Sequence, residues 1–420
     1  MRVVIFDKND VDNSGATHTL KSIIRLLVSK GHSITVILEQ KPTKSNYDGQ
    51  SVIWQHYADK VMKTTDLVIA QHYPCGMLAR QLNRYGERPL IYICNFTEQF
   101  EYLAKEKMKY EELLVCMSNS MKEKFSAYDK LNKYKFMTLY PKVSVANYRK
   151  REAWTVGEER KKYITFINSN FIKGAHLFYE IAKKMPERNF KVVKAYYLSN
   201  IVVNLPNIKF VDYGNVDDVY EDTYLLLCPS LAESWSRVSN EAMSNGIPVL
   251  YSEPYVTNKN MTTEGMAECV GSGGVGLAHD KVEDWIEAIN NFDDDELYES
   301  YSKKAYDRAD EIEAQYQGEE FVRTCESMVQ KNPNFSKQAK EKVNEGTKVV
   351  MAPIGSMIRS GPIRVAPRTI SAMQAQQAQQ AQPPAPVMMQ PPQPSQQVQQ
   401  QPVLNPRRNL IRGFVRPVAR

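Results

Sequence analysis

The sequence predicts an α/β chain of two doubly wound, parallel-sheet domains followed by a long disordered tail. Three observations predict it. Short apolar runs alternate with longer amphipathic stretches from Val3–Phe6 onward, the pattern of parallel strands joined by crossover helices. The alternation stops across a polar, charge-rich stretch at 141–162 and restarts at Tyr163. Beyond Lys331 it ends: residues 374–401 hold thirteen glutamines among prolines and alanines. Such a segment buries too little apolar surface to offset its ordering entropy. The domains are therefore placed at 1–140 and 163–330, with 141–162 as linker and 331–420 as tail.

In the first half, Val3–Phe6 reads as a buried strand. A polar loop from Asp7 to Gly15 leads into an amphipathic helix, about Thr17 to Lys30, ended by Gly31. Further strands are expected at Ile34–Leu38, Leu67–Ala70, Leu90–Cys94, Leu113–Met117 and Phe136–Leu139. The second half opens on a strand at Tyr163–Ile167 and a helix from Gly174 to Met185, stopped by Pro186. Strands follow at Phe190–Val193, Ile208–Val211 and Tyr224–Cys228, then a helix around Arg237–Asn245 ended by Gly246, then a strand at Pro248–Tyr251. Helices are expected over Val282–Asn291 and Asp294–Met328. Ligands of such sheets bind at the carboxyl ends of the strands, so the cleft between the halves is the expected site.

Composition narrows the function. The 420 residues are 42% hydrophobic and 24% charged, ordinary for a globular protein. No run of about 18 apolar residues offers a membrane span, and the first residues lack the pattern of a secretory signal. The six cysteines are scattered, without CxxC pairs or zinc spacing, so the expectation is reduced thiols, no metal and a cytoplasmic setting. The net charge of +6 belongs to the tail: nine bases and no acid follow Glu345, leaving residues 1–345 at −3. A nucleic-acid partner is therefore not expected. The tail's end, NPRRNLIRGFVRPVAR, reads either as a solvated basic end or as a segment for peripheral contact with a membrane or another anionic partner.

The segment with the most chemistry is PSLAESWSRVSNEAMSNGIPV, from Pro229 to Val249. A strand ending at Cys228 delivers Glu233 into the cleft, and a helix beginning near Ser236 points its free amides the same way. Helix N-termini favour phosphate. Glu241, about a turn inside, offers a carboxylate that can accept paired hydrogen bonds from a vicinal diol.

This segment closely resembles the E-x7-E signature of retaining GT-B glycosyltransferases of family 4, usually PS-x-x-E-x-x-G-x-x-x-x-E-A-M-x-x-G-x-P-V. Pro229, Ser230, Glu233, Glu241, Ala242, Met243, Gly246, Pro248 and Val249 match, and Ser236 replaces the usual glycine. Upstream, FINSNFIKGAHLFYEIAKKMP resembles the family's first donor-domain strand and loop. There the resemblance places Lys173 and Gly174 at the donor diphosphate. Asn168 stands where the family commonly has Arg, and Arg237 is the candidate for the missing charge. NIKFVDYGNVDDVYEDTYLLLCPS resembles the segment lining the nucleotide base, which makes Tyr213 a candidate. TEGMAECVGSGGVGL resembles the next loop, and Glu268 is read as structural.

The first half matches more loosely. Gly15 sits in the family's glycine-rich loop, with one glycine where two are usual. Gln71-His72-Tyr73-Pro74 resembles an H-x-P-like segment, making His72 a candidate to orient sugar or phosphate. In LIYICNFTE, Asn95 replaces a histidine beside the reacting sugar, so its role would be positioning.

The resemblance implies two Rossmann-like domains, the first for the acceptor and the second for the donor. It implies transfer of a sugar from a UDP- or GDP-sugar to a hydroxyl of a glycan, lipid-linked or protein acceptor. Anomeric configuration is retained, and neither cofactor nor metal is needed. The alternatives are a sugar-nucleotide hydrolase or epimerase on the same fold, or a non-catalytic binding or assembly protein.

Overall fold

The computed structural model describes residues 1–11, 14–83, 88–95, 103–105, 111–143, 163–194, 200–212, 214, 216–254 and 263–332, within one compact unit spanning Met1–Ile358. All but the first two residues of the tail, and most of the linker, lie outside the described residues. The first domain carries β1 (Arg2–Asp7), α1 (Gly15–Ser29), β2 (Ser33–Leu38), β3 (Asn46–Tyr47), β4 (Gln50–Trp54), α2 (Ala58–Met62), β5 (Leu67–Gln71) and α3 (Tyr73–Asn83). It continues with β6 (Leu90–Cys94), β7 (Glu112–Cys116), α4 (Asn119–Ser126) and β8 (Lys135–Thr138). The second domain begins with β9 (Tyr163–Ile167), α5 (Ala175–Lys184), β10 (Phe190–Val193), β11 (Ile208–Val211), α6 (Val216–Tyr220), β12 (Thr223–Cys228) and α7 (Arg237–Met243). It ends with β13 (Val249–Ser252), α8 (Glu264–Val270), β14 (Gly274–Leu277), α9 (Val282–Asn291), α10 (Asp295–Ala314) and α11 (Gly318–Lys331).

Among the described residues the first sheet runs β3-β4-β2-β1-β5-β6-β7-β8, and the second β11-β10-β9-β12-β13-β14. Every pair is parallel except β3 with β4. Chain order reverses between β1 and β5 in one sheet and between β9 and β12 in the other. These are the switch points where a crevice opens at the strands' carboxyl ends. Along β1, successive residues point to opposite faces: Val3 and Ile5 pack with Leu20, Ile23 and Ile69, while Val4 and Phe6 pack with Ala79 and Tyr92.

The structure corrects the sequence reading in three places. The β3–β4 hairpin was not anticipated. Its turn is Asp48-Gly49, both left-handed at φ 52° and 80°, the backbone that a tight hairpin requires. The segment resembling a loop at 263–277 is helix α8 followed by strand β14, which pairs in register with β13. The stretch Asp294–Met328 is two helices, α10 and α11, because the chain turns at 315–317 to cross back onto the first domain. There Phe321, Cys325 and Met328 of α11 join Leu20 and Ile23 of α1 in one core. Lys30 pairs with Glu319 and His32 with Glu326 along the same seam. No helix among the described residues is long and apolar enough to cross a membrane.

Candidate functional site

At the β9/β12 switch point, two loops from distant parts of the sequence are stitched together. Asn168 leaves β9 with φ 68°, a left-handed conformation that the short amide side chain tolerates. Asn170 Oδ1 then accepts the Lys173 N–H at 3.1 Å, and the Leu231 N–H donates to the Ile172 carbonyl at 2.8 Å. Gly174 is left-handed at φ 81°, and a Cβ there would overlap the Pro229 carbonyl; only glycine admits this approach. The stitched loops bring the Lys173 ammonium onto Glu233 Oε1, which Ser230 Oγ also reaches at 3.3 Å. The pair keeps contact with solvent, with side-chain exposures of 20% and 10%.

Ser236 caps α7 by accepting the Ser239 N–H. One turn on, Glu241 faces Arg237, Nη2 to Oε1 at 3.4 Å, and accepts the Tyr220 hydroxyl at 3.3 Å. Burial pushes the Glu241 carboxyl up, while Arg237 and Tyr220 pull it back. Arg237 also donates to the Lys142 carbonyl at 2.7 Å. Gly15, opening α1 in the first domain, lies against its stem: a side chain there would come within 3.4 Å of Arg237 Cδ. Lys173, Gly174, Glu233, Arg237, Glu241 and Gly15 therefore share one end of the cleft. Tyr213 lies outside the described residues.

The β1/β5 switch point of the first sheet holds a buried polar chain. Asp7 accepts the Tyr47 hydroxyl at 2.6 Å, the Lys8 N–H at 2.8 Å and Gln71 Nε2 at 2.8 Å. Gln71 Oε1 in turn accepts Asn95 Nδ2 at 3.2 Å. His72, half-buried with φ 63°, follows Gln71 and accepts the Gly76 N–H that opens α3. Sequence reasoning missed Asp7 and Tyr47. The signal was an acid directly after the buried apolar run Val3–Phe6, within the strand RVVIFD.

The two domains meet beside these groups. Ser234 Oγ donates to the Asn95 carbonyl at 2.6 Å, and Trp235 stacks on Tyr140 at 4.4 Å between ring centres. Glu268 accepts the N–H groups of Asn119 and Ser120 and the Tyr140 hydroxyl, a structural role across the domains. Burial and then Glu268 hold the Tyr140 phenol well above its ordinary range. Ser118, Ser120, Lys124, Glu233, Ser234 and Gly265 line the crevice left at the mouth. Among the described residues, no group of three or more His, Cys, Asp or Glu side chains could hold a metal ion.

Residues 149–308 match the family model described as Glycosyl transferases group 1. No curated protein matches the sequence. Among solved structures, HepE of Anabaena in complex with UDP and glucose is similar over 82% of this chain and 100% of its own, at TM-score 0.58 and 14% identity. The pneumococcal O-GlcNAc transferase GtfA in complex with UDP and GlcNAc is similar over 79% of this chain and 98% of its own, at TM-score 0.58 and 11% identity. TarM is similar over 78% and 99%, at TM-score 0.61 and 10% identity. Residues 149–308 thus match the Glycosyl transferases group 1 model, and the fold is similar to that of GT-B glycosyltransferase structures.

Proposed function

We propose that this chain is a retaining glycosyltransferase that moves a sugar from a UDP- or GDP-sugar to a hydroxyl of a glycan, lipid-linked or protein acceptor. One observation carries the reading: Lys173 and Glu233, 60 residues apart in sequence, meet at the switch point of the second sheet, in the domain that matches the group 1 family. An ammonium has three N–H donors, so Lys173 can keep Glu233 and still receive a phosphate oxygen.

In this reading Lys173 and Arg237 face the donor diphosphate, and Gly174 and Asn168 shape the loop that approaches it. Glu241 accepts from the ribose diol, and Tyr213 flanks the base. Glu233 faces the transferred sugar, while His72 and Asn95 position its hydroxyls from the other domain. Gly15 keeps the opening of α1 free of a side chain. The bond from the anomeric carbon to the β-phosphate oxygen breaks as the acceptor oxygen bonds on the same face. The acceptor's proton passes to the departing phosphate oxygen, so no side-chain nucleophile is required. The protein supplies charge stabilisation and positioning, with no cofactor and no metal. The reaction is placed in the cytoplasm, with the basic tail holding the enzyme at a membrane or other anionic surface.

The test is nucleoside-diphosphate release from a panel of UDP-, GDP- and ADP-sugars, with and without saccharide acceptors. Acceptor-dependent release with a retained anomeric configuration supports the reading. Acceptor-independent release would favour a hydrolase, and no release from any donor a binding or assembly protein.

A further inference from the structure

The polar chain of the first domain has a direction, and the direction has a consequence. The Lys8 N–H can only donate, so the Asp7 Oδ1 that receives it is an acceptor. Gln71 must therefore turn its amino group to that oxygen, at 2.8 Å. Its carbonyl then faces β6, where only a donor is tolerated, and Asn95 supplies Nδ2 at 3.2 Å. Tyr47 closes the far end of the chain on Asp7 Oδ2.

The three links are buried, with Asp7 at 2%, Gln71 at 0% and Asn95 at 6% exposure. Turning Gln71 over would set its carbonyl oxygen against the carboxylate and its amino group against that of Asn95, and turning Asn95 over would set carbonyl oxygen against carbonyl oxygen, away from water. Asn95 is left with one amide N–H committed to Gln71 and with a backbone carbonyl occupied by Ser234 Oγ at 2.6 Å. Its Oδ1 has no partner among the described residues. Ser234 is the neighbour of Glu233, so Asn95 lies next to the loop that carries the Lys173–Glu233 pair.

We propose that Tyr47, Asp7 and Gln71 are positioning residues that hold Asn95 as a hydrogen-bond acceptor, making it a specificity determinant for a sugar that offers a hydroxyl there. The proposal rests on the glycosyl-transfer reading. A site built to pair one hydroxyl rejects the analogue lacking it, because its own polar atom is left unpaired. A histidine at this position could present either a donor or an acceptor; with one amide N–H held by Gln71, Asn95 keeps its Oδ1 as an acceptor.

The experiment uses the full chain, its best donor from the nucleotide-sugar panel, and the monodeoxy analogues of that donor's sugar. The readout is the ratio of kcat/KM for the parent to that for each analogue. A fold defect lowers both values and leaves the ratio standing. Wild type is expected to discriminate at one hydroxyl by about 100-fold or more. Asn95→Leu should bring that ratio to within about threefold of unity, and Gln71→Met, which frees the Asn95 amide to turn, should lower it about tenfold. Tyr47→Phe removes one hydrogen bond at the rim of the sheet and should lower the ratio a few-fold with the fold intact. The proposal is overturned if wild type discriminates at no position, or if the ratio survives in Asn95→Leu or Gln71→Met. Should wild type turn over no donor at all, the glycosyl-transfer reading itself fails and the proposal falls with it.

Discussion

Glu268 and Asn119, 149 positions apart in sequence and on opposite domains, are joined by a 2.8 Å hydrogen bond from the Asn119 N–H to a carboxylate oxygen. The second oxygen takes the Ser120 N–H at 2.7 Å, so one domain supplies the acid that caps a helix of the other. A carboxylate at a helix N-terminus is favoured by the free amides and the helix dipole. Glu268→Ala should therefore cost about 1 kcal/mol at the domain contact. Small-angle scattering should show a larger radius of gyration without ligand, with little change in secondary structure by circular dichroism. An unchanged radius would mean that the α11 crossing alone holds the domains together.

Lys173→Ala should cost about 2–4 kcal/mol of transition-state stabilisation, the scale of losing one aimed electrostatic group. The variant also leaves Glu233 without its cation, so donor binding should weaken together with turnover. Near-normal kcat/KM at low donor concentration would remove Lys173 from the diphosphate site.

Glu241 sets a pH dependence. Burial raises its carboxyl pKa above the ordinary value, and in the proposed reading the ionised form accepts from a ribose diol. As pH falls through that raised value the carboxylate is protonated, so kcat/KM should decline along an acid limb above the usual range of a glutamate. Glu241→Gln should lower kcat/KM and abolish that limb. A limb that persists in the variant would belong to another group.

Turnover should survive excess EDTA, because in the proposed reading Lys173 and Arg237 offset the departing diphosphate without a divalent ion. Loss of activity under EDTA, restored by magnesium or manganese, would show a metal requirement.

Truncation after Asn332 should leave transfer to a small soluble acceptor intact. Phe321, Cys325 and Met328 of α11 belong to the core shared with α1, so the cut must fall beyond that helix. The nine bases after Glu345 would each contribute up to about 1 kcal/mol of attraction to an anionic surface, weakening with salt. Co-sedimentation with anionic lipid vesicles should therefore be lost in the truncated chain and salt-sensitive in the full one. Loss of turnover on the small acceptor, with the fold intact, would place the tail in the active site.

Local features are legible in the amino-acid order. The alternation of apolar runs and amphipathic stretches produced the two sheets, because a strand buried on both faces must be apolar throughout. Lys173, Gly174, Glu233 and Glu241 stand out in the sequence because each lies in a strand–loop–helix segment whose spacing is covalent. The remaining contacts lie between segments. The Asp7–Gln71 and Gln71–Asn95 bonds span 64 and 24 positions, and the Glu268 cap spans 149. No local pattern encodes them, because they depend on which strands become neighbours and on how one domain turns toward the other. The order β2-β1-β5-β6 puts Asp7 beside Gln71 and Gln71 beside Asn95. Where the two domains meet, Ser234 lies on Asn95 and Glu268 on the amides of α4, while α11 packs on α1.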